Sequence, residues 1–186
     1  MQTFLPYQNY SESAESLDNK RLNKQILEAY QILKVLSGQS PSGAWRNHPA
    51  VLMWKNAEFS LRTYAKTMIV EAKHRGIKTD KNESNIDALE ALCGDVWGTQ
   101  KPFWANSEGP HLDRINITHR ANLYRKDPIY YAEFYQDTKN KNNKPCCDKC
   151  LYYWVTHATR SVWQKDDKRV QWYTERYKWV ILLSLF

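Results

Sequence analysis

The stretch LDNKRLNKQILEAYQILKVLSG, residues 17–38, decides the fold class. Leu22, Ile26, Ala29, Leu33 and Leu36 recur at the three- and four-residue spacing of an amphipathic helix. At about 100° per residue they fall within about 40° of Leu22. Ser11, Ser13 and Asp18 are candidate N-caps, and Gly38 is the expected stop. On the same wheel Glu28 lies at about 240°, on the border of the apolar face. Arg21 and Lys24 share that border one to two turns earlier. A carboxylate held among cations on a rigid element suits an acid, a base or an electrostatic stabiliser beside a phosphate backbone. A surface glutamate paired with Lys24 is the plainer reading of the same pattern. At this point both readings stand.

Working outward, residues 37–49 (SGQSPSGAWRNHP) read as a loop. Pro49 suits the first turn of a second helix, which the pattern carries to about residue 75. Met53, Ala57, Leu61, Tyr64, Ala65, Met68 and Ala72 share one side of it, and Gly76 is a C-cap candidate. A short helix follows at 86–92, then a long loop at 94–112, a helix at 113–124 and a turn from Pro128 through Tyr135. Residues 137–149 are rich in Lys and Asn, and 152–186 are aromatic and basic. The expected fold is mainly α: a compact helical domain over 1–136, with a basic, aromatic C-terminal extension over 137–186.

Hydrophobic residues make up 42% of the 186, which argues against wholesale disorder. The formal charge of +7 favours a polyanionic partner through counterion release. No run approaches the ~20 apolar residues that span a bilayer, so no membrane partner is expected. The opening MQTFLP lacks the basic-then-apolar pattern of a signal peptide. Four cysteines in a chain of this length do not make a disulfide framework. A reducing cytoplasm is the expected location.

Three further groups carry possible chemistry. In Trp45-Arg46-Asn47-His48-Pro49, the Arg, Asn and His side chains can reach a phosphate or a base edge just before a helix N-terminus. The alternative is a loop whose Trp anchors the core while its polar residues stay solvated. The run His119 to Lys126 brings Arg120, Arg125 and Lys126 near Tyr124 on one helical flank, for phosphate or simply for water. Cys147 and Cys150 have zinc-like spacing, with Cys146 and His157 nearby. No second pair completes a site, so no metal is expected.

Taken in order, Leu17-Asp18-x-x-x-Leu22, Glu28-Ala29, Val35-Leu36-x-Gly38 and His48-Pro49 resemble the pyrimidine-dimer DNA glycosylase family, the phage-type endonuclease V. The stretch from Phe59 through Glu71 and His74-Arg75-Gly76 to Asp80 is similar to the phage enzyme, as is Arg125-Lys126-Asp127-Pro128-x-Tyr130-Tyr131. The opening Met1-Gln2-Thr3-Phe4-Leu5-Pro6 resembles a bacterial branch with no assigned activity. The resemblance spans roughly residues 1–135.

It implies an all-α domain with the N-terminus threaded between helices. It also implies that the chain's α-amine attacks C1′ of a damaged nucleotide, forms a Schiff base and nicks the strand by β-elimination. An α-amine suits this, because such groups titrate near ~8 and are largely neutral at working pH. The family's essential glutamate matches Glu28. The phage enzyme opens Met-Thr and loses its methionine, whereas bulky Gln2 blocks that removal here. The amine of Met1, or of Gln2 after processing, is therefore the candidate nucleophile, with Lys20 or Lys24 as substitutes. Arg21, Lys24, Arg46, His48, Arg120, Arg125 and Lys126 are the candidate DNA contacts. The expected partner is double-stranded DNA, bound by a monomer without a cofactor. Two rivals are a non-catalytic nucleic-acid-binding module and a glycosylase for another modified base. A zinc-stabilised interaction protein is a third.

Overall fold

The computed structural model describes residues 1–99, 101–105 and 110–139. Cys146, Cys147, Cys150, His157 and nearly all of the C-terminal extension lie outside the described residues. Helices dominate the described chain: α1 (Tyr10–Ser16), α2 (Asn19–Leu36), α3 (Pro49–Leu52), α4 (Glu58–His74), α5 (Asp80–Cys93) and α6 (Pro110–Lys126). Short 3₁₀ turns cover Gly94–Val96, Phe103–Ala105 and Ala132–Thr138. The mainly α expectation holds, with no strand among the described residues. No described helix is long and apolar enough to cross a membrane.

Helix α2 forms as its sequence pattern requires. The Asp18 side chain accepts from the Arg21 N–H at its start, and Gly38, at φ +70°, follows its last turn. Leu22, Ile26, Ala29 and Leu33 are fully buried, and this face packs chiefly on α4. Burying four such side chains is the main stabilising term at this contact, at about 1.5–3 kcal/mol for each large one.

The single helix expected from Pro49 to about residue 75 is two. Residues 53–57 break it, with Asn56 at φ +64°. The cause is tertiary. The buried Glu58 carboxylate accepts from the backbone N–H groups of Asn56 and Gly98, while Phe59 N–H donates to the Gly98 carbonyl. Gly98 sits so close that a Cβ there would lie 2.2 Å from the Asn56 carbonyl oxygen. Docking of a distant segment thus overrides local helical periodicity. A further departure is α1, capped by Asn9, where only cap residues for a later helix are legible in the sequence. Helices α5 and α6 run longer than their apolar patterns indicate: polar residues 80–85 extend the start of α5, and Arg125-Lys126 the end of α6.

The N-terminal segment is threaded between helices. A buried extended chain must pair its backbone polar groups, and with no neighbouring strand the partners are side chains. Phe4 N–H donates to Gln25 Oε1 of α2 at 2.7 Å, and the Tyr64 hydroxyl of α4 donates to the Phe4 carbonyl at 2.9 Å. Leu5 N–H donates to His119 Nδ1 of α6 at 2.8 Å. Arg120 donates to the Pro6 carbonyl at 2.7 Å, and the Trp54 indole N–H donates to Thr3 Oγ1 at 3.0 Å.

Candidate active site

This threading sets the first residues against α2. Gln2 N–H donates to Glu28 Oε2 at 3.2 Å, and the Met1 amine stands 3.7 Å from the same oxygen. Lys24 Nζ lies 3.8 Å from the other oxygen, Oε1. The pairing with Lys24 that the plainer reading expects is therefore present, yet Glu28 is only 9% exposed. Its carboxylate faces an amine, a backbone donor and a lysine together.

Met1 and Glu28 line two clefts. One, about 410 Å³, is walled by Lys20, Arg21, Lys24 and Lys126. The other, about 360 Å³, carries Lys34, Val35, Ser40 and Trp45. A larger cleft of about 740 Å³, with Arg46, Lys55, Glu58 and Trp97, includes neither Met1 nor Glu28. The Glu58 carboxylate there is occupied by two backbone donors, so that cleft lacks the amine–carboxylate pair.

The basic cleft draws its charge from two helices. Lys20, Arg21 and Lys24 come from the first turns of α2, and Lys126 from the end of α6. Partial desolvation lowers the Lys126 pKa, and the nearby charges of Arg21 and Lys24 lower it further. Arg21 is partly compensated. It is ion-paired with Asp18, lies 3.9 Å from Asp127 and stacks over the Tyr131 ring. Burial would raise the Asp18 pKa, but hydrogen bonds from the Tyr131 hydroxyl, at 2.6 Å, and from Arg21 outweigh it, and its carboxyl titrates below the usual range.

The structure thus brings Met1, Gln2, Glu28, Arg21, Lys24 and Lys126 together, and with them Lys20. It does not bring Arg120. That guanidinium is ion-paired with Asp137 at 2.8 Å and clasps the Pro6 carbonyl, so it holds the N-terminal segment. Arg46 is exposed, with its Nε donating to the Gly43 carbonyl, and lines the larger cleft. His48 caps α3, accepting from Ala50 N–H through Nδ1. Its pKa is lowered by burial and then by the N-terminal ammonium. Arg125 is half-buried on the last turn of α6.

Sequence reasoning missed Gln25, which organises Phe4 and Tyr64. Its signal was a polar residue about 60° from Leu22 on the apolar side of the wheel. It also read His119 as part of a phosphate-binding or solvated flank. His119 is fully buried, and its Nε2 faces the Gln2 amide at 3.1 Å.

Burial drives the His119 pKa from 6.5 down to about 3. The folded state therefore refuses a proton that the unfolded chain takes up. This contribution to stability is complete above about pH 6.5 and is lost as pH falls toward 3, with a slope of up to about 1.4 kcal/mol per pH unit. Urea melts at pH 7, 6 and 5 should show the decline. His119→Asn, which keeps an acceptor near Leu5, should flatten it. An unchanged slope in that variant would assign the effect to other groups, His48 first.

Among the described residues no group of three or more His, Cys, Asp or Glu side chains is placed to hold a metal. What the fold and site define is an all-α domain that presents an amine–carboxylate pair beside a basic cleft. Residues 1–85 match the family model described as pyrimidine dimer DNA glycosylase. This bears out the resemblance over the N-terminal part of the chain and supports a DNA-repair glycosylase role. The match ends inside α5, short of the α6 stretch to which the resemblance also extends. No curated protein and no solved structure matches the chain.

Proposed function

We propose that the protein excises a damaged pyrimidine from double-stranded DNA, a cyclobutane pyrimidine dimer in the first instance, and then nicks the abasic strand. The observation that carries this reading is the Met1 amine 3.7 Å from the nearly buried Glu28 carboxylate, at the wall of a cleft lined by four cations. The neutral amine forms a bond to C1′ as the glycosidic bond breaks, and the electron pair leaves with the base, which takes up a proton. The amine then loses a proton and the sugar ring opens, with O4′ protonated, giving the imine. Removal of a C2′ proton expels the 3′ phosphate by β-elimination. Glu28 stands where a carboxylate both stabilises the sugar cation and relays these protons.

Borohydride trapping tests the reading directly. Reduction of the imine leaves a covalent protein–DNA adduct on a dimer-bearing or abasic duplex and none on undamaged duplex. A non-catalytic binding module leaves none on any of them. A dimer duplex that stays intact while another modified base is excised moves the specificity and keeps the chemistry.

The basic cleft makes a second expectation. Neutralising three phosphates with Lys20, Lys24 and Lys126 gives a slope of log affinity against log salt of about −3, because Asp18 and Asp127 meet the charge of Arg21. Lys24→Gln or Lys126→Gln should each bring it about one unit closer to zero. Arg120→Gln should leave the slope unchanged and lower thermal stability, because its charge is spent on Asp137 and Pro6. Fluorescence anisotropy across a sodium chloride series checks all three, and a flat profile for the wild type assigns the positive charge to another purpose.

A further inference from the structure

Resting on the glycosylase reading, we propose that Trp45 is a stacking residue. Its indole holds an unstacked nucleobase beside the nucleotide that Met1 and Glu28 attack. Four tryptophans fall among the described residues, and three of them are core residues. Trp54, Trp97 and Trp104 are at most 5% exposed, and their indole N–H groups donate to Thr3 Oγ1, Ser37 Oγ and the Met53 carbonyl. Trp45 is 58% exposed, so it does not anchor the core.

Its position is specific. Trp45 lines the 360 Å³ cleft together with Met1 and Glu28, and these same two residues also line the lysine-rich cleft, which does not include Trp45. A strand with its phosphates in the basic cleft and its reacting sugar at the amine reaches the second cleft through the shared Met1 and Glu28. Its volume is within the range of small-ligand clefts, about 300–1,000 Å³. An exposed indole there presents a π face that any base can stack on.

The loop supports that presentation at a cost. Trp45 has φ +70°, a left-handed conformation that bulky residues rarely adopt. Strain of this kind persists where the surroundings enforce it, and often serves a site. The surroundings here are named. Gly43, at φ +56°, leaves room for the Arg46 side chain, whose guanidinium would meet a Cβ at 2.3 Å. Arg46 Nε donates to the Gly43 carbonyl, His48 N–H donates to the Trp45 carbonyl at 2.8 Å, and the His48 ring meets the indole edge-on at 5.4 Å.

Three variants test the assignment: Trp45→Gly, Trp45→Ala and Trp45→Phe, each compared with the wild type on dimer-bearing, abasic and undamaged duplexes. Trp45→Gly relieves the left-handed strain, so its melting temperature should equal or exceed that of the wild type. Its affinity for damaged duplex should nevertheless fall about 5- to 150-fold, the effect of removing one base–aromatic stack. Trp45→Ala should lose the same affinity, and Trp45→Phe should recover most of it. Affinity for undamaged duplex, and its salt slope, should hardly change. If the wild type prefers damaged DNA and cross-links with borohydride while Trp45→Gly binds damaged DNA equally well, the stacking role is overturned and the glycosylase reading stands. If the wild type shows neither preference nor cross-link, the glycosylase reading has failed and takes this role with it.

Discussion

Glu28→Gln should retain binding to duplex DNA and lower strand nicking by about 10²–10⁴-fold, the usual loss when a positioned acid–base group is removed. The substitution is nearly isosteric. An amide oxygen at the same place can still accept from the Gln2 N–H, which Glu28 Oε2 now does at 3.2 Å, so the N-terminal segment keeps its seat. What disappears is the negative charge 3.7 Å from the Met1 amine and the capacity to carry a proton. Binding depends instead on the cations of the neighbouring cleft. A well-matched control is Glu58→Gln. Glu58 is buried to a similar degree but lines only the larger cleft, where two backbone N–H groups occupy it. That variant should lose stability and keep its single-turnover nicking rate. Unchanged nicking by purified Glu28→Gln would remove Glu28 from the mechanism.

Blocking the α-amine should have an effect at least as large. Acetylating the N-terminus removes the nucleophile, so borohydride trapping on abasic duplex should fall to background, and in the unmodified protein the adduct should map to residue 1. An α-amine of ordinary acidity is about half neutral near pH 8, whereas an ordinary lysine is under ~1% neutral there. A lysine becomes a competitor when burial or neighbouring cations lower its pKa by two or three units. Lys24 is 66% exposed at its side chain and lies against the other carboxylate oxygen, while Met1 is seated inside the fold. Mass spectrometry of the native N-terminus decides between Met1 and Gln2, because loss of Met1 hands the role to the Gln2 nitrogen, already 3.2 Å from Glu28. An acetylated protein that cross-links at full yield overturns this assignment and points to Lys20 or Lys24.

Much of the frame was legible because it rests on local rules. Helix α2, its Asp18 cap and its Gly38 stop follow from spacing and caps within one stretch of chain. Glu28 on the edge of the apolar face followed from the same wheel, and the basic flank of Arg21 and Lys24 with it. What escaped sequence reading depends on distant partners. The break at 53–57 exists because Gly98 docks on it. Arg120 reads as a cation available for phosphate until Asp137 and Pro6 are seen around it. His119 reads as part of a surface run until the N-terminal segment is laid across it. Trp45 reads equally well as a core anchor or a surface residue, and only the fold shows that three other tryptophans already fill the interior.

The threading of the N-terminus also has a consequence in time. The first residues are made well before two of the groups that seat them, His119 at a separation of 114 from Leu5 and Arg120 at 114 from Pro6, although Gln25, Trp54 and Tyr64 come sooner. At bacterial-to-eukaryotic synthesis rates of about 5–20 residues per second, that gap lasts roughly 6–23 s. During it, Lys20, Arg21, Lys24 and Glu28 are already made while the contacts of α6 to Leu5 and Pro6 are still missing. The segment that carries Met1 and Gln2 therefore has its full set of partners only once α6 is in place.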